Sequence, residues 1–359
     1  MTVKGGRTVV RRLAPLVVLV LAAVLPWSTV DIPWLFDGPL NSPGTLQLLA
    51  SCLVFGGLAM GYDLLFGRAG LLSFGHALYF AGGAYGTDVL IMHAHWPLWT
   101  AAPVALAGTV VLAAVLGAVA LRTTGIAFAM VTLAFAQVGV VLVNRDPGGL
   151  TGGEEGLPLD GHGIPGPLIG VANTVNLYWL ALAFLAVAVF LVHRVDGAPL
   201  GRVLAGLRDD ERRVSVLGLS PYRFKLVAFS LSGGIAALAG VVYTLLVGGA
   251  SPRMAGTDLT LSLLIMVVLG GPGTRWGPVL GGILYTYLDQ RLTSAGGHLP
   301  GPLAQPLFLL GAVFVLAVYF VPGGLAGLRR RLPPLGGLRR PGAGRPAGGD
   351  TLPEGLGLD

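Results

Sequence analysis

The sequence predicts an all-α fold, a polytopic membrane helix bundle with about ten transmembrane helices. Three observations carry this. Only 11% of the 359 residues are charged, against roughly 25% in a soluble domain, so the chain cannot cover a globular surface in water. Repeated apolar runs of membrane-spanning length are joined by short loops. Lys and Arg are segregated to alternate loops, as the positive-inside rule requires.

The spans are expected at 13–30, 45–66, 71–92, 98–121, 124–143, 176–193, 224–247, 257–271, 276–292 and 303–322. Lys4, Arg7, Arg11 and Arg12 precede the first in the manner of a signal peptide. Pro26 and Trp27 follow in place of a small-residue cleavage site, so the segment reads as a retained span. The eighth and ninth spans are short and Gly-rich, which suits a broken or re-entrant helix. With the N-terminus in the cytoplasm, only Arg145, Arg253 and Arg291 of the 23 basic residues fall outside. Both termini are then cytoplasmic, in a cell (inner or plasma) membrane. Trp27, Trp34, Trp96, Trp99, Trp179 and Trp276 all lie near span ends, at headgroup level.

Three parts follow. Residues 1–44 hold a cytoplasmic stub, the first span and an outer loop. Residues 45–325 form the core. Residues 326–359 are a basic Arg/Pro/Gly tail, expected to be disordered. Glycines crowd the spans and predict close helix packing. Gly67–Gly70 and Gly271–Arg275 echo each other as openings of Gly-rich spans, a faint internal repeat.

Several chemistries are excluded. The net charge of +6 reflects the membrane asymmetry, not a nucleic-acid face. The single cysteine, Cys52, permits no intrachain disulfide and no cysteine metal site. Lys4 and Lys225 are the only lysines and neither sits in a phosphate loop, so the chain binds no ATP by that route. Catalytic motifs are absent, and no metal site is expected; His93 and His95 point apart on a helix. Asp63 and Asp88 have no evident basic partner at mid-depth, and no chain of acids suggests proton or sodium coupling. An ion-coupled transporter and a membrane enzyme are therefore the weaker alternatives.

The segment from Gly201 to Leu219 carries the functional signal. Val203, Leu204 and Leu207 form an apolar ridge among charges. Asp209 or Asp210 can cap a second short helix holding Glu211, Arg212 and Arg213, with apolar contacts from Val214, Val216 and Leu217, and Gly218 can end it. Such a helical hairpin suits a groove in a cytoplasmic partner. Ser73 and His76, polar groups within an apolar run, face the bundle interior.

These stretches resemble the LivM-type membrane permease of branched-chain amino acid ABC importers. The likeness runs from about residue 45 to 325 through Gly61–Gly86, Arg122–Ala136, Leu150–Leu157, Gly201–Gly218, Lys225–Tyr243 and Leu269–Gly282. It departs at Asp63, Arg68 and Asp88. The resemblance implies a non-enzymatic transport subunit with no cofactor of its own. ATP and Mg belong to two cytoplasmic ATPase subunits, a second related permease completes a heterodimer, and an extracytoplasmic binding protein delivers the solute. It implies an ATPase-coupling loop built from Gly201, Arg202, Leu204, Leu207, Arg208, Asp209, Glu211, Arg212, Arg213 and Gly218. A translocation path is expected along Ser73, His76, Tyr79, Gly83 and Tyr85. The solute is a branched-chain or related amino acid, or a small polar solute such as urea or an amide.

Overall fold

Apolar helices dominate the chain, as the hydropathy pattern demands. The computed structural model describes residues 22–28, 38–159, 161, 163–170, 173–295, 308, 311, 312, 315, 319 and 323–331. In chain order the helices are α1 (Pro43–Asp63), α2 (His76–Met92), α3 (Leu98–Ala120), α4 (Ile126–Arg145), α5 (Thr174–Gly197), α6 (Pro199–Asp209), α7 (Glu211–Val216), α8 (Pro221–Val247), α9 (Thr257–Gly270), α10 (Gly277–Ala295) and α11 (Gly324–Arg331). A wide π-helical turn, Leu64–Arg68, prolongs α1.

Among the described residues, five helices are long and apolar enough to cross a bilayer: α1 with its π turn, α3, α4, α5 and α8. Helix α9 has 14 residues, or about 21 Å, short of the roughly 30 Å hydrocarbon layer. Of the two spans expected to be short, the eighth is short but continuous, while the ninth, α10, runs 19 residues. The expected spans 13–30 and 303–322 lie mostly outside the described residues, so a count of ten is not reached. In the part of the first that is seen, residues 22–28, the turn Leu25–Trp27 sets Trp27 against Trp179 of α5, ring centres 5.7 Å apart and tilted. The expected tail begins as a helix instead: α11 sits against α9 and α10 near the loop that joins them. Residues 332–359 lie outside the described set.

The bundle is layered around α1 and α8. Helix α1 packs on α5 and α10, α8 packs on α2 and α3, and α9 packs on α10. The apolar window of α1 is 83% buried and that of α8 61%, against 22% for α3 and 33% for α4. Lipid supplies no hydrophobic drive for helices to associate, so close backbone approach must hold them. At the α2–α8 crossing, a Cβ on Gly83 would stand 2.0 Å from the Ala237 carbonyl oxygen. One on Gly240 would stand 2.0 Å from that of Phe80. The two backbones touch reciprocally, and only glycine fits.

One small antiparallel ladder interrupts the helices. Leu157 and Pro158 (β1) pair with Ala250 and Gly249 (β2), tying the long loop after α4 to the end of α8. At the opposite end lie α6 and α7. The loops Gly67–Gly70 and Gly271–Arg275, which echo in the sequence, meet at this same end, where the Gly273 N–H donates to Asp63.

Candidate functional site

The hairpin forms largely as its sequence dictates. Pro199 stands at the start of α6, and Leu204 and Leu207 turn inward, 0% and 5% exposed. Asp210, rather than Asp209, caps α7. Its carboxylate accepts from the N–H groups of Arg212 and Arg213 at 2.9 and 3.2 Å and pairs with the Arg213 guanidinium at 3.0 Å. Val214 is buried against the chain. Gly218, at φ +78°, takes the left-handed turn after the helix. Gly201 allows α6 to fold back on the end of α5.

The ridge therefore faces the chain, not a partner. Leu204 and Leu207 are spent on intramolecular packing, which corrects the expectation that they enter a groove. Val216 and Leu217 project instead, 82% and 78% exposed. Arg202, Asp209, Arg212 and Arg213 are also exposed. Glu211, though exposed, is held by the buried Lys225 at 2.6 Å. Arg208 donates to the Gly67 carbonyl, so the hairpin is fastened to the loop after α1.

Beneath it lies a cluster that sequence reasoning missed. Asp63 is fully buried and pairs with Arg68 at 2.6 Å. Arg68 also grips Asp196, at the end of α5, through two contacts of 2.6 and 3.1 Å. The second Asp63 oxygen accepts from the Gly273 N–H at 2.7 Å. Asp63 thus has a basic partner after all, at the C-terminal end of its helix. The cause is the π turn. In an α-helix residue i+5 lies about 140° around from residue i; the widened turn brings Arg68 back over Asp63. One cluster ties α1, α5 and the α9–α10 loop beside Arg208 of α6.

The residues expected to line a path lie instead in the packed seam of α2. The Ser232 hydroxyl donates to the Gly61 carbonyl at 2.7 Å and so accepts from His76 Nε2, also at 2.7 Å. His76 links α2, α8 and α1 and is 1% exposed. Ser73 receives the Gly75 N–H, and Thr260 of α9 receives that of Ala77; side chains satisfy helix-start donors. Tyr79 sits edge-on to Phe229 at 5.7 Å. Gly83 is the crossing point of α2 and α8. Tyr85 is 6% exposed. None of the five borders the large cavity.

That cavity lies at the β-ladder end, the face expected outside. It has a volume of about 730 Å³ and is bounded by α8, α9, α10, the ladder and Phe55 of α1. Phe55 and Tyr243 form an aromatic wall, edge-on at 5.3 Å, backed by Phe80. Its polar lining includes Ser262, Tyr285, Thr286 and Asp289. Residues spread over four helices and two loops give no linear motif, which is why the sequence did not reveal them. Among the described residues, no three His, Cys, Asp or Glu side chains converge to hold a metal ion.

The described chain is a bundle of apolar helices with a charged hairpin at one end and an open cleft at the other. The chain belongs to the family described as "Branched-chain amino acid transport system / permease component", whose profile matches residues 44–318. It is 28% identical over 352 residues to the high-affinity branched-chain amino acid transport system permease protein LivM of Escherichia coli K12, covering 90% of this chain and 77% of that one. A probable LivM of Methanocaldococcus jannaschii is 30% identical, covering 41% of this chain and 45% of that one. The autoinducer 2 import permease LsrC of Salmonella choleraesuis is 31% identical, covering 40% and 42%.

Proposed function

We propose that this chain is the permease subunit of an ATP-driven importer of branched-chain amino acids or related small polar solutes. Two cytoplasmic ATPases dock on the α6–α7 hairpin. A second, related permease completes the path as a heterodimer, and an extracytoplasmic binding protein supplies the solute. ATP and Mg stay on the ATPases; this chain acts by changing access across the membrane.

The observation that carries the reading is the hairpin. It exposes Val216 and Leu217 beside Arg212 and Arg213, while Arg208 and Lys225 anchor it to the bundle. An exposed apolar pair rimmed by guanidinium groups is a docking surface. Its anchors pass displacement to α1 and the α9–α10 loop through the Asp63–Arg68–Asp196 cluster. ATP closure of the docked subunits then biases a two-state bundle. The printed names of the E. coli and Salmonella relatives, a branched-chain amino acid permease and an autoinducer 2 import permease, support a small polar solute. An ion-coupled mechanism is weaker, because the buried Asp63 is neutralised within the chain.

The test is affinity isolation of the tagged chain from its native membrane in mild detergent, followed by mass spectrometry. Two ATPases with phosphate loops, a second permease and a binding protein are expected. Recovery of the chain alone would overturn the reading.

A further inference from the structure

The cleft at the β-ladder end has the chemistry of an ammonium site. Its volume falls within the range of small-molecule pockets. Carboxylates outnumber guanidinium groups in its lining, with Glu155, Asp258 and Asp289 against Arg253 alone. Glu155, Asp258 and Arg253 are exposed, while Asp289 is half-buried along α10. A carboxylate drawn out of water is costly unless something neutralises it. The chain meets that demand for Asp63 with Arg68. It provides no basic partner for Asp289 among the described residues.

A second observation is independent of charge. Thr286, three residues before Asp289 and so on the same face of α10, is 6% exposed, and its Oγ1 has no hydrogen-bond partner. Orphaned buried hydroxyls are uncommon, and each calls for an explanation. Beside it, Ser262 Oγ and Tyr285 Oη lie 2.9 Å apart and leave lone pairs for a further donor. Phe55 and Tyr243 add aromatic surface, which favours a cation. A protonated amine has three donors and one positive charge. A neutral amide leaves Asp289 without a counter-charge, and an anion meets repulsion. The carboxylates are spread around the cleft and do not converge as metal ligands do.

We propose that this cleft binds the transported solute through a protonated amine, with Asp289 as its counter-charge and Thr286 Oγ1 as a second acceptor. The inference rests on the permease reading, since it takes the cleft as the solute's way in. Its test does not depend on ATP. The full chain in lipid nanodiscs is titrated with isopentylamine, isovaleramide and isovalerate, which share one carbon skeleton and differ in charge. Binding is read by saturation-transfer NMR. Isopentylamine alone should bind, and Asp289→Asn should weaken it about tenfold or more. Asp289→Glu should keep most of the affinity, and Glu154→Gln, which lies outside the lining, should change nothing. Equal binding of all three probes, or an unchanged affinity in Asp289→Asn, would overturn the proposal. That failure would leave the permease reading intact if ATPases still co-purify; their absence would sink the permease reading and leave the measured amine affinity standing.

Discussion

Replacing Arg68 with Gln is the sharpest probe of the inner cluster. Arg68 is 9% exposed and pairs with two carboxylates, Asp63 at 0% and Asp196 at 23% exposure. Removing one member of a buried pair leaves an uncompensated charge and costs roughly 3–5 kcal/mol. Asp196 can rehydrate, and Asp63 keeps the Gly273 N–H. Both reduce the penalty, so a loss of about 3 kcal/mol is expected. Asp63→Asn leaves Arg68 still held by Asp196 and should cost about 1 kcal/mol, the worth of one hydrogen bond. The double variant removes the stranded charge and should be about 2 kcal/mol more stable than the two single losses summed. Reversible unfolding in mixed micelles, titrated with SDS, measures all four corners of the cycle. Additive losses, or an Arg68→Gln protein within about 0.5 kcal/mol of the parent, would refute the argument that this pair is a single electrostatic unit.

Three further outcomes are expected. Gly83→Ala places a methyl group 2.0 Å from the Ala237 carbonyl oxygen; it should separate α2 from α8 and cost about 1–3 kcal/mol, read by the same unfolding assay. Leu217→Asp alters a side chain exposed beyond the hairpin, so membrane insertion and stability should hold while ATPase co-purification falls severalfold in the pull-down. Asp146 accepts from the Thr151 N–H, then from the Thr151 hydroxyl and the Gly152 N–H, and these hold its carboxyl below the usual range. A carboxyl depressed in the folded state stabilises above its unfolded value, and that contribution is lost as pH falls through the folded one. Protection factors of the Thr151 and Gly152 amides, corrected for the intrinsic pH dependence of exchange, should therefore fall only in acid below about pH 4, and Asp146→Ala should show the lower protection already at neutral pH.

The functional hairpin was partly legible. The cap choice at Asp210, the break at Gly218 and the two short helices follow from local chemistry, because capping and turn signals act over three or four residues. The direction of the apolar ridge did not follow. Leu204 and Leu217 are both leucines among charges, yet one is buried and the other projects. Only the position of the end of α5 and the start of α8 decides which side of α6 and α7 meets protein. The same limit applies to His76. Its place in an apolar run announced an interior partner, and Ser232 supplies it from 156 residues away, but no pattern named that serine.

The sequence by itself determined that the chain lives in a membrane, where its helices run and which ends carry positive charge. Those properties depend on transferring each segment between water and lipid, a local matter of length and polarity. It could not rank the helices from centre to rim. Helices α1 and α3 are both apolar, yet one is 83% and the other 22% buried, because lipid and protein interior are equally oily solvents. The tertiary structure decided that ranking, the Asp63–Arg68–Asp196 cluster and the acidic cleft. Each depends on which distant backbones approach closely enough to touch, and small residues such as Gly83 and Gly240 permit that contact without declaring their partners.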